Sequence, residues 1–142
     1  MRIVKHLLAS KSSIIFSVDK KTSVLEALQL MMKENISALL IVENDQLEGI
    51  FTERDYARKI ILKGKSSKET DINEVMTANT ITVKPDDSID HCMKIMTEKH
   101  IRHLPVLANN KIIGMISIGD LVRFIIEEQK KTIQHLENYI NS

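Results

Sequence analysis

Gly49-Ile-Phe-Thr52-Glu-Arg-Asp55 and Gly114-Met-Ile-Ser117-Ile-Gly-Asp120 are the stretches that decide the fold. They stand at a fixed offset of 65 and share one pattern, Gly-x-x-Thr/Ser-x-x-Asp. In each, an apolar segment closes on a hydroxyl residue, and a carboxylate follows three positions later. That order reads as a strand giving way to a helix, with Thr52 or Ser117 as N-cap. Extending the offset outward aligns Val18–Ile61 on Val83–Ile126 without a gap. Ser23/Ser88, Met31/Met96, Leu39/Leu104, Asn44/Asn109 and Arg58/Arg123 coincide along the way. The chain is therefore a duplication.

Each copy reads alike. Val24, Ala27, Leu28, Met31 and Met32 recur at helical spacing, as do Ile89, Cys92, Met93 and Met96. Ser23 with Glu26 predicts a capping box, and Ser88 is the matching N-cap without the Glu. Cys92 stands in the slot of Ala27, which suits a small core residue. Ala38–Val42 and Leu47–Thr52 flank Asn44-Asp45, while His103–Leu107 and Lys111–Ser117 flank Asn109-Asn110, so two β-hairpins are expected. The unit is β-α-β-β-α, occurring twice, an α/β (α+β) fold. Boundaries are expected at 10–65 and 72–128, joined by the polar Lys65-Ser66-Ser67-Lys68, with 129–142 a helical extension. That last helix extends from Asp120 to about Tyr139 and carries Ile126, Ile133 and Ile140 at heptad spacing.

Composition narrows the class. A hydrophobic fraction of 43% and a charged fraction of 27% are those of a globular chain. No apolar run is long enough for a membrane span. A net charge of +1, few aromatics and no Trp give no footprint for nucleic acid. The single Cys92 forms no internal disulfide and fits a reducing compartment, so a cytoplasmic location is expected. Arg2, Lys5 and Lys11 without an acid give residues 1–18 a slight transit-peptide character. Val4, Leu7 and Leu8 read better as a short amphipathic helix.

The repeated motif has its own chemistry. A hydroxyl and the first amides of a helix hold an anionic group, and a carboxylate one turn on accepts two hydrogen bonds from a vicinal diol. Ordinary capping explains a single copy equally well. Two copies, each with its preceding Gly, point to a ligand. His91, His100 and His103 do not make a metal set, because no carboxylate or Cys converges with them. No Gly-x-Ser-x-Gly, Walker loop or Gly-x-Gly-x-x-Gly supports catalysis.

The duplicated ending, together with Ile101-Arg-His-Leu-Pro-Val106, resembles a cystathionine β-synthase (CBS) domain pair over about residues 10–128. Thr52-Glu-Arg-Asp-Tyr-Ala-Arg-Lys59 with Gly64-Lys-Ser-Ser-Lys68 is similar to the stand-alone two-repeat proteins of bacteria and plant organelles. The resemblance implies two pseudo-twofold clefts that bind adenine nucleotides (AMP, ATP) or an adenine-containing cofactor such as NAD(H). It implies no catalysis and no required cofactor. Dimers of pairs forming a flat disk are also implied. Carried over, Thr52 and Ser117 lie near phosphates, and Asp55 and Asp120 hold ribose hydroxyls. Ser37-Ala38 and Arg102-His103 enter the cleft floor, with Arg102 suited to phosphate. Arg54 and Pro105 complete the expected ligand-binding set.

The copies are uneven there: Ser37-Ala38 faces Arg102-His103, Leu40 faces Pro105, and Arg54 faces Gly119, so unequal clefts are expected. A homodimer through Leu121-Val122 and Phe124-Ile125-Ile126 is expected, as is signalling to an unidentified protein target. The competing reading is a structural dimerisation adaptor without a ligand.

Overall fold

The computed structural model describes residues 2–11 and 14–141. The chain order is α1 (Val4–Ala9), β1 (Ser17–Val18), α2 (Val24–Glu34), β2 (Ala38–Glu43), β3 (Gln46–Thr52) and α3 (Glu53–Asp55). A π-helical segment Tyr56–Ile61 and a 3-10 turn Ile72–Glu74 follow. Then come α4 (Ile89–Lys99), β4 (His103–Ala108), β5 (Lys111–Ser117) and α5 (Ile118–Asn141). The offset of 65 maps α2 on α4, β2 on β4 and β3 on β5 with identical bounds. Both hairpins turn on two residues of positive φ, Asn44-Asp45 and Asn109-Asn110, the geometry that matches the twist of paired strands. Both also slip register at one place, between Ile41 and Val42 and between Val106 and Leu107. The opening strand is unequal. β1 pairs parallel to β2, whereas in the second repeat only Val83 bridges Val106.

Alternation along the strands makes three cores. Leu39, Ile41 and Phe51 pack under α2 with Val24, Ala27 and Met31. Leu104, Val106 and Ile116 pack under α4 with Ile89, Cys92 and Met96. The opposite faces of the two hairpins meet each other through Ala38, Leu40 and Ile50, with Ile112 and Met115 against them. Sheet against sheet is thus the joint of the pseudo-twofold pair. Each buried aliphatic side chain contributes about 1.5–3 kcal/mol.

The packing units are not the sequence units. Helix α1 lies on the second repeat: Val4 and Leu7 are buried in its core, and the Val4 amide donates to the Asp87 carbonyl at 2.9 Å. Residues 72–76, which spacing assigns to the start of the second repeat, lie on the first. Ile72 and Val75 are buried in its core, and the Ile72 amide donates to the Thr22 carbonyl at 2.7 Å. Leu7 and Ile72 are themselves 65 apart. The duplication therefore extends into both leaders, each packed on the other repeat. Gly49 and Gly114 stand where the leaders pass: an added Cβ would meet Met76 Sδ at 2.7 Å and Leu8 Cδ2 at 2.8 Å. Close approach, not backbone freedom, accounts for both glycines.

The caps follow the expected pattern with one correction. Ser23 Oγ accepts from the Glu26 amide, but the Glu26 carboxylate accepts from the Ser23 hydroxyl at 3.3 Å, not from a backbone amide, so this is no reciprocal box. The reciprocal boxes are at Thr52/Asp55, Asp71/Glu74 and Ser117/Asp120. Ser88 Oγ accepts from the His91 amide as expected.

Candidate functional site

The antiparallel register sets Ala38 across from Thr52 and His103 across from Ser117. The strand ends that feed α3 and α5 therefore lie beside the start of the neighbouring strand in each hairpin. Because the two hairpins meet face to face, a cleft of about 1000 Å³ opens between the repeats. It brings together Thr52, Arg54 and Asp55 of the first repeat with Arg102 and His103 of the second, and Ser37 joins them. Two contacts span the repeats: Ser37 Oγ and His103 Nε2 share a hydrogen bond at 3.1 Å, and Arg54 Nη1 donates to the His100 carbonyl at 2.8 Å. His100 closes α4 in the left-handed conformation, as Asn35 closes α2.

The other expected residues lie elsewhere. Ala38 is buried in the joint between the sheets. Pro105 is buried in β4, and its carbonyl accepts from the Val83 amide at 3.0 Å. Ser117 and Asp120 do not line this cleft; they form the corresponding motif of the second repeat. Among the cleft-lining residues, Arg58, Lys59, Thr77 and His100 were not singled out from sequence as ligand contacts. Lys59 had a usable signal, standing four residues after Asp55 on one helical face.

Both aspartates are firmly engaged. Asp55 Oδ2 accepts from the Thr52 amide at 3.0 Å and the Thr52 hydroxyl at 3.2 Å. Its Oδ1 accepts from the Thr77 hydroxyl and pairs with Lys59 Nζ, each at 3.1 Å. Lys59 Nζ also donates to the Val75 carbonyl at 2.9 Å, tying the swapped leader to the site. In the second repeat the Ser117 amide donates to Asp120 Oδ2 at 2.9 Å, the same capping bond. The cations differ in origin. Arg123 Nη2 donates to Asp120 Oδ1 at 2.8 Å, and Lys11, 109 residues away in sequence, donates to Oδ2 at 2.7 Å and to the Met115 carbonyl at 2.8 Å. Burial works against the Asp120 anion, yet the hydrogen bonds from Lys11 and Ser117 outweigh it and hold the carboxyl below its usual range. Burial pushes His103 down, with Arg102 and Lys11 reinforcing this and Asp120 opposing it, so the ring favours its neutral form. Cys92 lies in the core, its thiol pushed up to about 11 by burial and then by Asp87, as suits an inert residue. Among the described residues no three His, Cys, Asp or Glu side chains converge as a metal set. No helix there is long and apolar enough to cross a membrane.

Known proteins share this arrangement. The CBS domain model matches residues 4–62 and 72–127. A solved signal-transduction protein with CBS domains from Burkholderia ambifaria is 48% identical, covering 89% of this chain and 96% of its own, with a TM-score of 0.86. The mitochondrial CBS domain-containing protein CBSX3 of Arabidopsis thaliana is 43% identical over 83% of this chain, which spans 60% of that relative's length. The CBS domain pair of protein MJ0100, solved with 5′-methylthioadenosine and S-adenosyl-L-methionine, is 28% identical, covering 90% of this chain and 98% of its own, with a TM-score of 0.79. With the family model matched twice along the duplicated chain, the chain belongs to the CBS domain family as a pair of repeats.

Proposed function

We propose that the chain is a non-catalytic regulatory module that binds an adenine nucleotide (AMP or ATP) or an adenine-containing cofactor such as NAD(H). The observation that carries this is the open cleft, where the Thr52/Asp55 pair of one repeat faces Arg102 and His103 of the other. A hydroxyl, helix amides and a guanidinium suit a phosphate, and a carboxylate suits a ribose diol. The binding of adenosine ligands by the MJ0100 pair supports the same reading. Calorimetry with AMP, ATP, NAD(H) and 5′-methylthioadenosine tests it: saturable binding without turnover is expected, and no binding to any of the four overturns it.

Asp55 provides the finer test. Its four hydrogen-bonding and ionic contacts mean that Asp55→Ala also costs apo stability, about 1–3 kcal/mol for the unpaired groups left behind. Affinity alone therefore does not isolate a ribose role. The coupling does. A 2′-deoxy nucleotide should lose at least tenfold against the wild type and much less against Asp55→Ala. Equal losses on both backgrounds would remove Asp55 from the ribose contact.

The adaptor reading is favoured by α5. Ile126, Ile133, Leu136 and Ile140 are exposed along it, and the described surface of 9351 Å² exceeds the ~7,500 Å² of a compact monomer of this mass. Dimerisation through α5 is shared by both readings, and in the first it carries the ligand signal to a protein target; the adaptor reading differs in having no ligand. Light scattering at micromolar concentration should give a dimer, and truncation after Glu128 should weaken it. A wild-type monomer defeats that part of the proposal.

A further inference from the structure

The two motifs occupy equivalent places, but the side chains around them do not carry equivalent charge. Arg54, Arg58, Lys59 and Arg102 line the open cleft against Glu53 and Asp55. The offset of 65 gives Gly119, Arg123 and Phe124 as the mates of Arg54, Arg58 and Lys59 at the second motif, while Ser37, the mate of Arg102, lines the open cleft itself. Three of the four cations have no counterpart there. Ile118 likewise replaces Glu53. The cations the second motif retains or acquires, Arg123 and Lys11, are both spent on Asp120, at 2.8 Å and 2.7 Å. In the open cleft only Lys59 is spent on the aspartate. Arg54 is exposed and reaches across to the His100 carbonyl, while Arg58 and Arg102 have no acidic partner among the described residues.

We propose that the two repeated motifs are sorted by ligand charge. The open cleft takes the polyphosphate chain of a nucleoside di- or triphosphate on Arg54, Arg58 and Arg102, and the Ser117/Asp120 site does not bind a polyphosphate. Guanidinium groups remain charged and offer forked donors, so an array without acidic partners recognises successive phosphates. Around the second motif, Gly119 and Phe124 supply no such charge. This deepens the nucleotide reading above and rests on it for the adenosine part of the ligand.

The experiment is a charge ladder by calorimetry at low and at physiological salt, using adenosine, AMP, ADP, ATP and inorganic tripolyphosphate. Affinity at the first site should rise by at least tenfold from adenosine to ATP, and the gain should shrink with salt. One ATP per chain should saturate. Arg102→Ser, which copies Ser37 of the first repeat, should flatten the ladder while leaving adenosine affinity within about twofold; Arg102→Lys should restore part of the slope. Arg102 is exposed, and an unchanged melting curve confirms folding. Equal affinity for adenosine and ATP overturns the inference and leaves the nucleotide reading standing. Two equal ATP sites per wild-type chain, or an Arg102→Ser variant that weakens adenosine and ATP alike, also overturn it. Binding of tripolyphosphate alone, with adenosine and AMP silent, sustains the polyanion site and defeats the adenine reading. Silence throughout defeats both.

Discussion

After Thr52 the first repeat makes one α-turn, a π-helical segment and a stop at Gly64, whose φ of 65 ends the helix; after Ser117 the second repeat runs on as a 24-residue helix. The helix and hairpin before these points, α2 with β2–β3 and α4 with β4–β5, match in length and register. The contrast separates two kinds of position. In the two helix-covered cores the mates are of the same kind: Leu39 and Leu104, Val24 and Ile89, Met31 and Met96. Where a side chain faces the cleft or solvent, the mates diverge, as with Arg54 and Gly119 or Lys59 and Phe124. Close packing constrains the former in volume and polarity, whereas a solvated cleft wall leaves the side chain open to ligand chemistry.

The largest effects should come where the repeats agree. Leu39→Ala and Leu104→Ala each empty a fully buried site and should cost about 2–5 kcal/mol, the two within about 1 kcal/mol of each other by urea unfolding. A large inequality would show that the matched cores are not energetically matched. The glycine pair breaks the comparison in a defined direction. At Gly49 an added methyl meets the Thr77 carbonyl oxygen at 2.8 Å as well as Met76, so Gly49→Ala should cost about 1–3 kcal/mol. At Gly114 all three nearest atoms belong to the Leu8 side chain, which can turn aside, and the cost should be smaller. Equal losses would mean that α1 is as unyielding as the backbone at Thr77.

The helix caps sharpen the agreement at smaller scale. Ser23→Ala and Ser88→Ala remove equivalent N-cap bonds and should each cost about 1 kcal/mol by thermal melting. The subtlest difference is in pH dependence. The folded Asp120 carboxyl lies below its unfolded value of about 3.9, so its contribution is present above that pH and is lost as pH falls through the folded value. For His103 the depressed folded value means that the unfolded chain takes up the proton first, so stability declines as pH falls below about 6.5. Unfolding series from pH 7 to pH 3 should therefore show two regions of decline. His103→Gln should remove the upper one, and Asp120→Asn should reduce the lower one. An upper limb that persists unchanged in His103→Gln would assign it to another group.

Much of this was legible before any coordinates. The Ser-x-x capping signals, the helical spacing of Val24-to-Met32, the Asn-rich turns and the repeated Gly-x-x-Thr/Ser-x-x-Asp each rest on contacts within a few residues. Local chemistry therefore suffices to place them. The Thr52/Asp55 pair was legible because duplication repeats it as Ser117/Asp120 at one offset, whereas Arg102 and His103 came to the cleft only through the family resemblance. Lys11 was not legible: nothing in Ser10-Lys11 signals a partner at Asp120, and only the burial of Val4 and Leu7 on the second repeat brings that ammonium there.

The sequence by itself determined the repeat, its elements, its turns and the chemical character of the motif, because helix periodicity, strand alternation and capping are short-range properties of the chain. Only the tertiary structure decided that each leader packs on the other repeat, that Ala38 and Pro105 are buried rather than facing the cleft, and that Lys59 and Lys11 neutralise the two aspartates from different parts of the chain. Those outcomes depend on which apolar faces find each other across long separations, and burial, unlike a cap or a turn, carries no local sequence signature of its partner.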